Sequence, residues 1–227
     1  LYDNGQADEG LANVFYGSAA GLSATADWTA ESDQATAYLG VSVGTAGDVN
    51  GDGYADVIIG ASAYDNDQSN EGHTFVWHGS AAGLNNGTPG NPTNAIWTAE
   101  SNRTNVYFGE SAGTAGDVNG DGYSDALVCG YSPKAYVYNG SPSGLTSSYN
   151  WSYSGLAGSF GWTVAGAGDI NGDGYSDVII GSPTYDSVQT DEGRAYVYYG
   201  SASGLSLTVN WTAEINSASS NFGNSVS

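Results

Sequence analysis

The sequence predicts an all-β fold, a β-propeller built of four-stranded blades. Three observations carry that prediction. Apolar and aromatic segments of strand length recur at a fixed order along the chain, with no helical periodicity between them. The same signposts repeat: Gly-Ser-x-x-Gly-Leu starts at Gly17, Gly79, Gly140 and Gly200, and Trp-Thr-Ala-Glu starts at Trp28, Trp97 and Trp211. One nine-residue acidic loop occurs three times, starting at Asp48, Asp117 and Asp169. Four-stranded units repeated in this way stack radially, which leaves few exposed strand edges.

The elements follow in chain order. Residues 1–31 hold the second half of a unit: Tyr2-Asp-Asn4, Glu9-Gly10, a strand over Val14-Phe-Tyr16, and Trp28. Residues 32–100 hold a complete unit. A small-residue strand runs over Gly40–Ala46 and the acidic loop follows. Asp56-Val-Ile-Ile-Gly-Ala61 is a continuously apolar strand, suited to burial on both faces. An acidic linker over Tyr64–Glu71 leads to the aromatic strand Thr74–His78. The Gly79–Leu84 turn and a variable segment then precede a strand over Ala95–Thr98. Residues 101–152 and 153–214 repeat the unit, with Trp151-Ser-Tyr as a degraded Trp-Thr-Ala-Glu. Residues 215–227 begin another. The partial units at both ends read as those of a segment of a longer protein, and a tail paired with a head could close a ring.

The loops carry the chemistry. They read Asp48-Val-Asn50-Gly-Asp52-Gly-Tyr54-Ala-Asp56, Asp117-Val-Asn119-Gly-Asp121-Gly-Tyr123-Ser-Asp125 and Asp169-Ile-Asn171-Gly-Asp173-Gly-Tyr175-Ser-Asp177. Oxygen-bearing side chains fall at positions one, three, five and nine, and Tyr54, Tyr123 and Tyr175 offer a backbone carbonyl at position seven. Oxygen-only donors around a glycine turn suit a hard cation, and calcium over magnesium, zinc or copper. Three calcium ions are the expected cofactors. An EF-hand or dockerin would need a helix and an acidic residue at position twelve, where this chain has Ile59, Val128 and Ile180. Without a cation, three carboxylates crowded into each loop would repel one another by about 1–4 kcal/mol per pair.

Composition removes several classes of function. The chain has 227 residues and a net charge of −21, from 24 acidic residues against Lys134, Arg103 and Arg194. Nucleic acid and anionic membrane surfaces need a basic face and are excluded as partners. Membrane insertion is not expected, because no apolar run is long enough. The single cysteine, Cys129, precludes an internal disulfide and reads as a buried strand residue.

The order aromatic-Gly, acidic loop, Val-Ile-Ile-Gly-Ala strand resembles the FG-GAP repeat of the integrin α-subunit β-propeller and its bacterial relatives. The pairs that carry the resemblance are Leu39-Gly40, Phe108-Gly109, Phe160-Gly161 and Phe222-Gly223. Leu39 departs from the usual Phe. The resemblance implies calcium at each loop, an extracellular or cell-surface location, a full ring of seven blades, and a protein or glycan ligand of unknown identity. It places ligand contacts on the face opposite the loops, where Asp65, Asp67 and Glu71 lie in the linker. Self-association through the incomplete terminal repeats is an alternative, as is a propeller attached to a secreted hydrolase. The chain itself is not expected to be an enzyme. His73 and His78 have no nucleophile or acid pattern beside them, and Gly79-Ser-Ala-Ala-Gly-Leu84 lacks the Lys and helix of a phosphate loop. Asn86, Asn102, Asn139, Asn150 and Asn210 head glycosylation sequons of the kind expected by chance in such a composition.

Overall fold

The computed structural model describes residues 2–155 and 159–227. The chain opens with β1 (Leu11–Val14), a small hairpin of β2 (Gly17–Ser18) and β3 (Gly21–Leu22), and β4 (Trp28–Glu31). β1 and β4 pair as a half-blade. The second blade has β5 (Leu39–Gly47), β6 (Asp56–Ala61), β7 (His73–Trp77) and β8 (Trp97–Glu100) in that order across the sheet. The third has β9 (Ser111–Gly116), β10 (Asp125–Cys129), β11 (Lys134–Tyr138) and β12 (Trp151–Ser154), so it runs two residues past the boundary expected at 152. The fourth has β13 (Thr163–Gly168), β14 (Asp177–Ser182), β15 (Arg194–Tyr198) and β16 (Trp211–Glu214). Within each sheet the neighbouring strands pair antiparallel, as the short connections require. The first strands of successive blades, β5, β9 and β13, pack beside one another, as expected for strands lining an axis.

The core lies between the blades. One buried cluster joins Ile58, Val76 and Trp97 of the second blade to Phe108, Val128 and Tyr138 of the third. Another joins Leu127, Val137 and Trp151 to Val178, Ile180 and Tyr198. A third joins Trp28 and Ala30 to Ile59, Phe75 and Trp77. The second and third blades are therefore apolar on both faces, which explains the unbroken apolar run of β6. The recurrent Trp ties each blade to the next: the indole Nε1 of Trp28, Trp97 and Trp151 donates to the carbonyls of Thr88, Thr146 and Ser206 at 2.8, 2.9 and 3.0 Å.

The Phe-Gly signature has a packing cause. A Cβ on Gly60 would stand 1.9 Å from the Gly109 carbonyl oxygen, so β6 and the next blade's Phe108-Gly109 turn meet backbone to backbone. Gly181 meets Gly223 in the same way, at 2.0 Å. Cys129 takes the corresponding place in β10 and is fully buried, which pushes its thiol far above the ordinary range.

Several elements differ from the sequence expectation. The strand expected over Val14–Tyr16 is β1, Leu11–Val14, because Asp27 Oδ2 accepts the Tyr16 amide at 2.6 Å and turns the chain. The strand expected over Ala95–Thr98 is β8, Trp97–Glu100. The Asn94 side chain there accepts from Asn91 N and Trp77 Nε1, holding the approach as a loop. The segment before it contains one 3-10 turn, Leu84–Gly87, and Gly90 pairs with Ala30 of the preceding half-blade. At the end of the chain, Phe222 pairs with Gly193 of its own preceding blade.

Candidate functional site

Each acidic loop joins the first two strands of its blade. In the first, Asp48 Oδ1 accepts the amides of Gly51 and Asp52 at 2.7 and 3.0 Å, and Oδ2 accepts Gly53 at 2.8 Å. Asn50 Oδ1 accepts Asp52 N at 3.1 Å, and Asp52 Oδ1 accepts Tyr54 N at 3.0 Å. The second loop repeats these bonds through Asp117, Asn119, Asp121 and Tyr123, the third through Asp169, Asn171, Asp173 and Tyr175. The Gly174 amide, with help from Gly172 and Asp173, holds the Asp169 carboxyl below its usual range. Positions one, three and five are thus knit together through the loop's own backbone amides.

Position nine is set apart. Asp56, Asp125 and Asp177 are fully buried. Asp56 accepts Val49 N and Gly79 N, each at 2.8 Å. Asp125 accepts Val118 N at 2.9 Å and Gly140 N at 2.8 Å, and Asp177 accepts Ile170 N at 3.0 Å and Gly200 N at 2.9 Å. This carboxylate pins the loop to the Gly-Ser turn of its own blade. Burial pushes Asp125 up to about 7 against the pull of the two amides, and Asp56 moves the same way for the same reason.

The three carboxylates of a loop are therefore not gathered at one point, contrary to the crowding expected from spacing. Each instead faces backbone amides. Among the described residues, the group of three His, Cys or acidic side chains whose donor atoms all lie within 4.8 Å of one another is Glu71, His73 and Glu100. A hard cation still fits the loops. A carboxylate oxygen has two lone pairs, so Asp56 keeps one on each oxygen beyond its amide. The donor set is oxygen throughout.

Sequence reading missed a second clamp. The Asp48 carbonyl accepts Ser124 N at 3.0 Å and the Val49 carbonyl accepts Ser141 N at 3.0 Å, both from the next blade. Asp117 and Val118 accept Ser176 N and Ser201 N at 2.9 and 3.1 Å in the same way. The recurring Gly-Ser pair was the available signal.

The family model for the FG-GAP repeat matches residues 39–77, 108–141 and 160–198, each span running from a Leu-Gly or Phe-Gly turn through a loop into the strands after it. The chain carries three FG-GAP repeats. Among curated proteins it is 29% identical to integrin alpha-4 of Xenopus laevis over 77% of this chain, and 33% identical to integrin alpha-PS2 of Drosophila melanogaster over 66%. It is 28% identical to integrin alpha-V of Gallus gallus over 88% of this chain. It spans only 17%, 12% and 20% of those relatives' lengths. A solved exotype rhamnogalacturonan lyase aligns with 78% of this chain and 36% of its own, at 14% identity and a TM-score of 0.36.

At the other end of the FG-GAP blades lie the linkers between second and third strands. Glu71, a candidate surface contact on sequence, is fully buried. Its Oε1 accepts Asn66 N at 2.7 Å and Asp67 N at 2.9 Å, so it organises the linker rather than facing a ligand. Asp65 Oδ1 accepts Asn70 N across the same hairpin. Asp67 remains exposed. His73 sits beneath, and burial holds its imidazole below the ordinary value although Glu100 and Glu71 pull it upward. His78 lies at the loop end instead, with Nδ1 3.1 Å from Asn50 Nδ2.

Proposed function

We propose that this chain is a calcium-stabilised propeller module of an extracellular or cell-surface protein, non-catalytic in itself, that binds a protein or glycan. One observation supports the calcium most directly: three loops hold the same oxygens in the same bonded arrangement, and two of them grip the neighbouring blade. Asp48, Asn50, Asp52, the Tyr54 carbonyl and Asp56 would hold the first ion, and their counterparts the others. The ion supplies charge neutralisation and rigidity. Loops of this kind in extracellular proteins bind calcium at about 10⁻⁴ to 10⁻³ M, which fits a location outside the cell. The integrin relatives support the same location and an adhesive role, with the ligand on the linker face.

Calorimetric titration of chelator-treated protein with calcium should show three ions per chain and a raised thermal midpoint. Protein that binds none, or whose stability ignores the chelator, refutes the reading. Screening the calcium-loaded protein against glycans and matrix proteins then tests the adhesive role.

A further inference from the structure

Among the described residues, the donor cluster at the linker end of the second blade has no counterpart in the other blades. One donor atom from each of Glu71, His73 and Glu100 lies within 4.8 Å of the other two. Glu71 is fully buried and His73 is 7% exposed. Glu71 Oε2 is buried without a hydrogen-bond partner. Orphaned buried polar atoms are costly and call for an explanation. His73 Nε2 stands 3.4 Å from Glu100 Oε2. That is long for an N–H···O bond. It is close to the roughly 3.3 Å separating two donors that each sit about 2.0–2.1 Å from a tetrahedral ion.

We propose that Glu71, His73 and Glu100 form a binding site for a borderline transition-metal dication of the zinc type, with water completing its shell. One imidazole and two carboxylates suit such an ion better than calcium, which takes oxygen alone. The edge of the Tyr64 ring, 5.1 Å from the imidazole, and the stacked Phe75 ring at 5.3 Å hold His73 in place. Glu100 is the partly exposed member and gives the route in from solvent.

The repeat supplies its own controls. The place of His73 opposite Glu100 is taken by Leu11 opposite Glu31 in the half-blade and by Arg194 opposite Glu214 in the fourth blade. Glu9 and Glu192 also leave Oε2 unpartnered, so the buried glutamate is a property of the repeat. What the second blade adds is a nitrogen donor between two carboxylates. In the fourth blade the Arg194 guanidinium provides fixed positive charge there, bonded to Glu214 through Nε and Nη2. A bound dication would provide that charge in the second.

The test is zinc titration of calcium-saturated protein by calorimetry, with cobalt as an absorbing substitute. Calcium saturation blocks the loops at the opposite blade end. We expect one zinc per chain, displacement of the His73 ring resonances by NMR, and a cobalt spectrum showing nitrogen and oxygen ligands. His73→Arg places the fourth blade's residue in the second, and should weaken zinc binding by at least about tenfold while calcium binding persists. Glu100→Gln should weaken zinc as well and covers the case in which the Arg variant fails to fold. Zinc binding that is absent, that leaves the His73 ring unmoved, or that persists in both variants overturns the site. A His73 ring that titrates as an imidazolium paired to Glu100 and ignores zinc also overturns it.

Discussion

The first and third acidic loops differ at two positions, Val49 against Ile170 and Ala55 against Ser176, and within these 227 residues they have different surroundings. Val49 is fully buried in the cluster it shares with the third blade, whereas Ile170 is 53% exposed. The Asp48 and Val49 carbonyls are both bonded into that blade. The first loop is thus joined to the blade that follows it, whereas these 227 residues hold no further loop for the third to meet. The donor pattern sets what a loop can hold. The neighbouring blade sets what holding it does to the blades beside it.

The largest effect should come from a part all three loops share. Asp56→Ala, Asp125→Ala and Asp177→Ala each strand two backbone amides, at a cost of about 3–5 kcal/mol in urea denaturation. The three costs should be alike, since the partners lie within one blade. A much smaller cost for Asp177→Ala would mean that position nine depends on the neighbour as well. Position two should separate the loops. Val118→Ala opens a cavity between blades and should cost about 2 kcal/mol. Ile170→Ala should stay within about 0.5 kcal/mol. Equal costs would break the comparison.

That division was only partly legible in the sequence. The blade repeat was, because Asp-x-Asn-x-Asp-Gly and Val-Ile-Ile-Gly carry their own local logic of turn and buried strand. Position nine was legible as a carboxylate but not as a clamp, because its partner Gly79 lies 23 residues away and contributes only a backbone amide. Asp48 and Ser124 are 76 residues apart, too far for local spacing to show that Ser124 Oγ accepts Asp48 N while its own amide donates to the Asp48 carbonyl. Glu71 read as a surface acid for a similar reason. Its burial follows from the linker amides folding over it, and the recurrence of Glu-Gly at Glu9, Glu71 and Glu192 was the one trace of that. The Phe-Gly turn was legible as a motif, but its cause, contact with a glycine of the preceding blade, belongs to the packing.

Calcium should make the joint visible. With calcium bound, the Ser124 and Ser141 amides should exchange with solvent more slowly, by roughly tenfold for each 1.4 kcal/mol of local stabilisation. Asp52→Ala should abolish that slowing in the third blade although the lesion lies in the second. Asp173→Ala should affect only amides of its own blade, such as Gly200. Protection that fails to cross from one blade to the next would reduce the first loop to the same local turn as the third.

The smallest effect concerns pH. Asp125 is pushed up to about 7 by burial between blades. Unfolded, the same carboxyl titrates near 4. A raised folded value favours the fold below pH ~4, and this contribution is lost as pH rises to about 7. Calcium acts in the opposite sense, because it needs the carboxylate and must expel the proton. In an Asp52→Ala, Asp173→Ala variant that retains only the second loop, calcium affinity should fall about tenfold from pH 8 to pH 6. The calcium-induced rise in thermal midpoint should shrink with it. An affinity flat across that range would mean that the Val118 and Gly140 amides outweigh burial, leaving Asp125 ionised and the second loop indifferent to the blade that covers it.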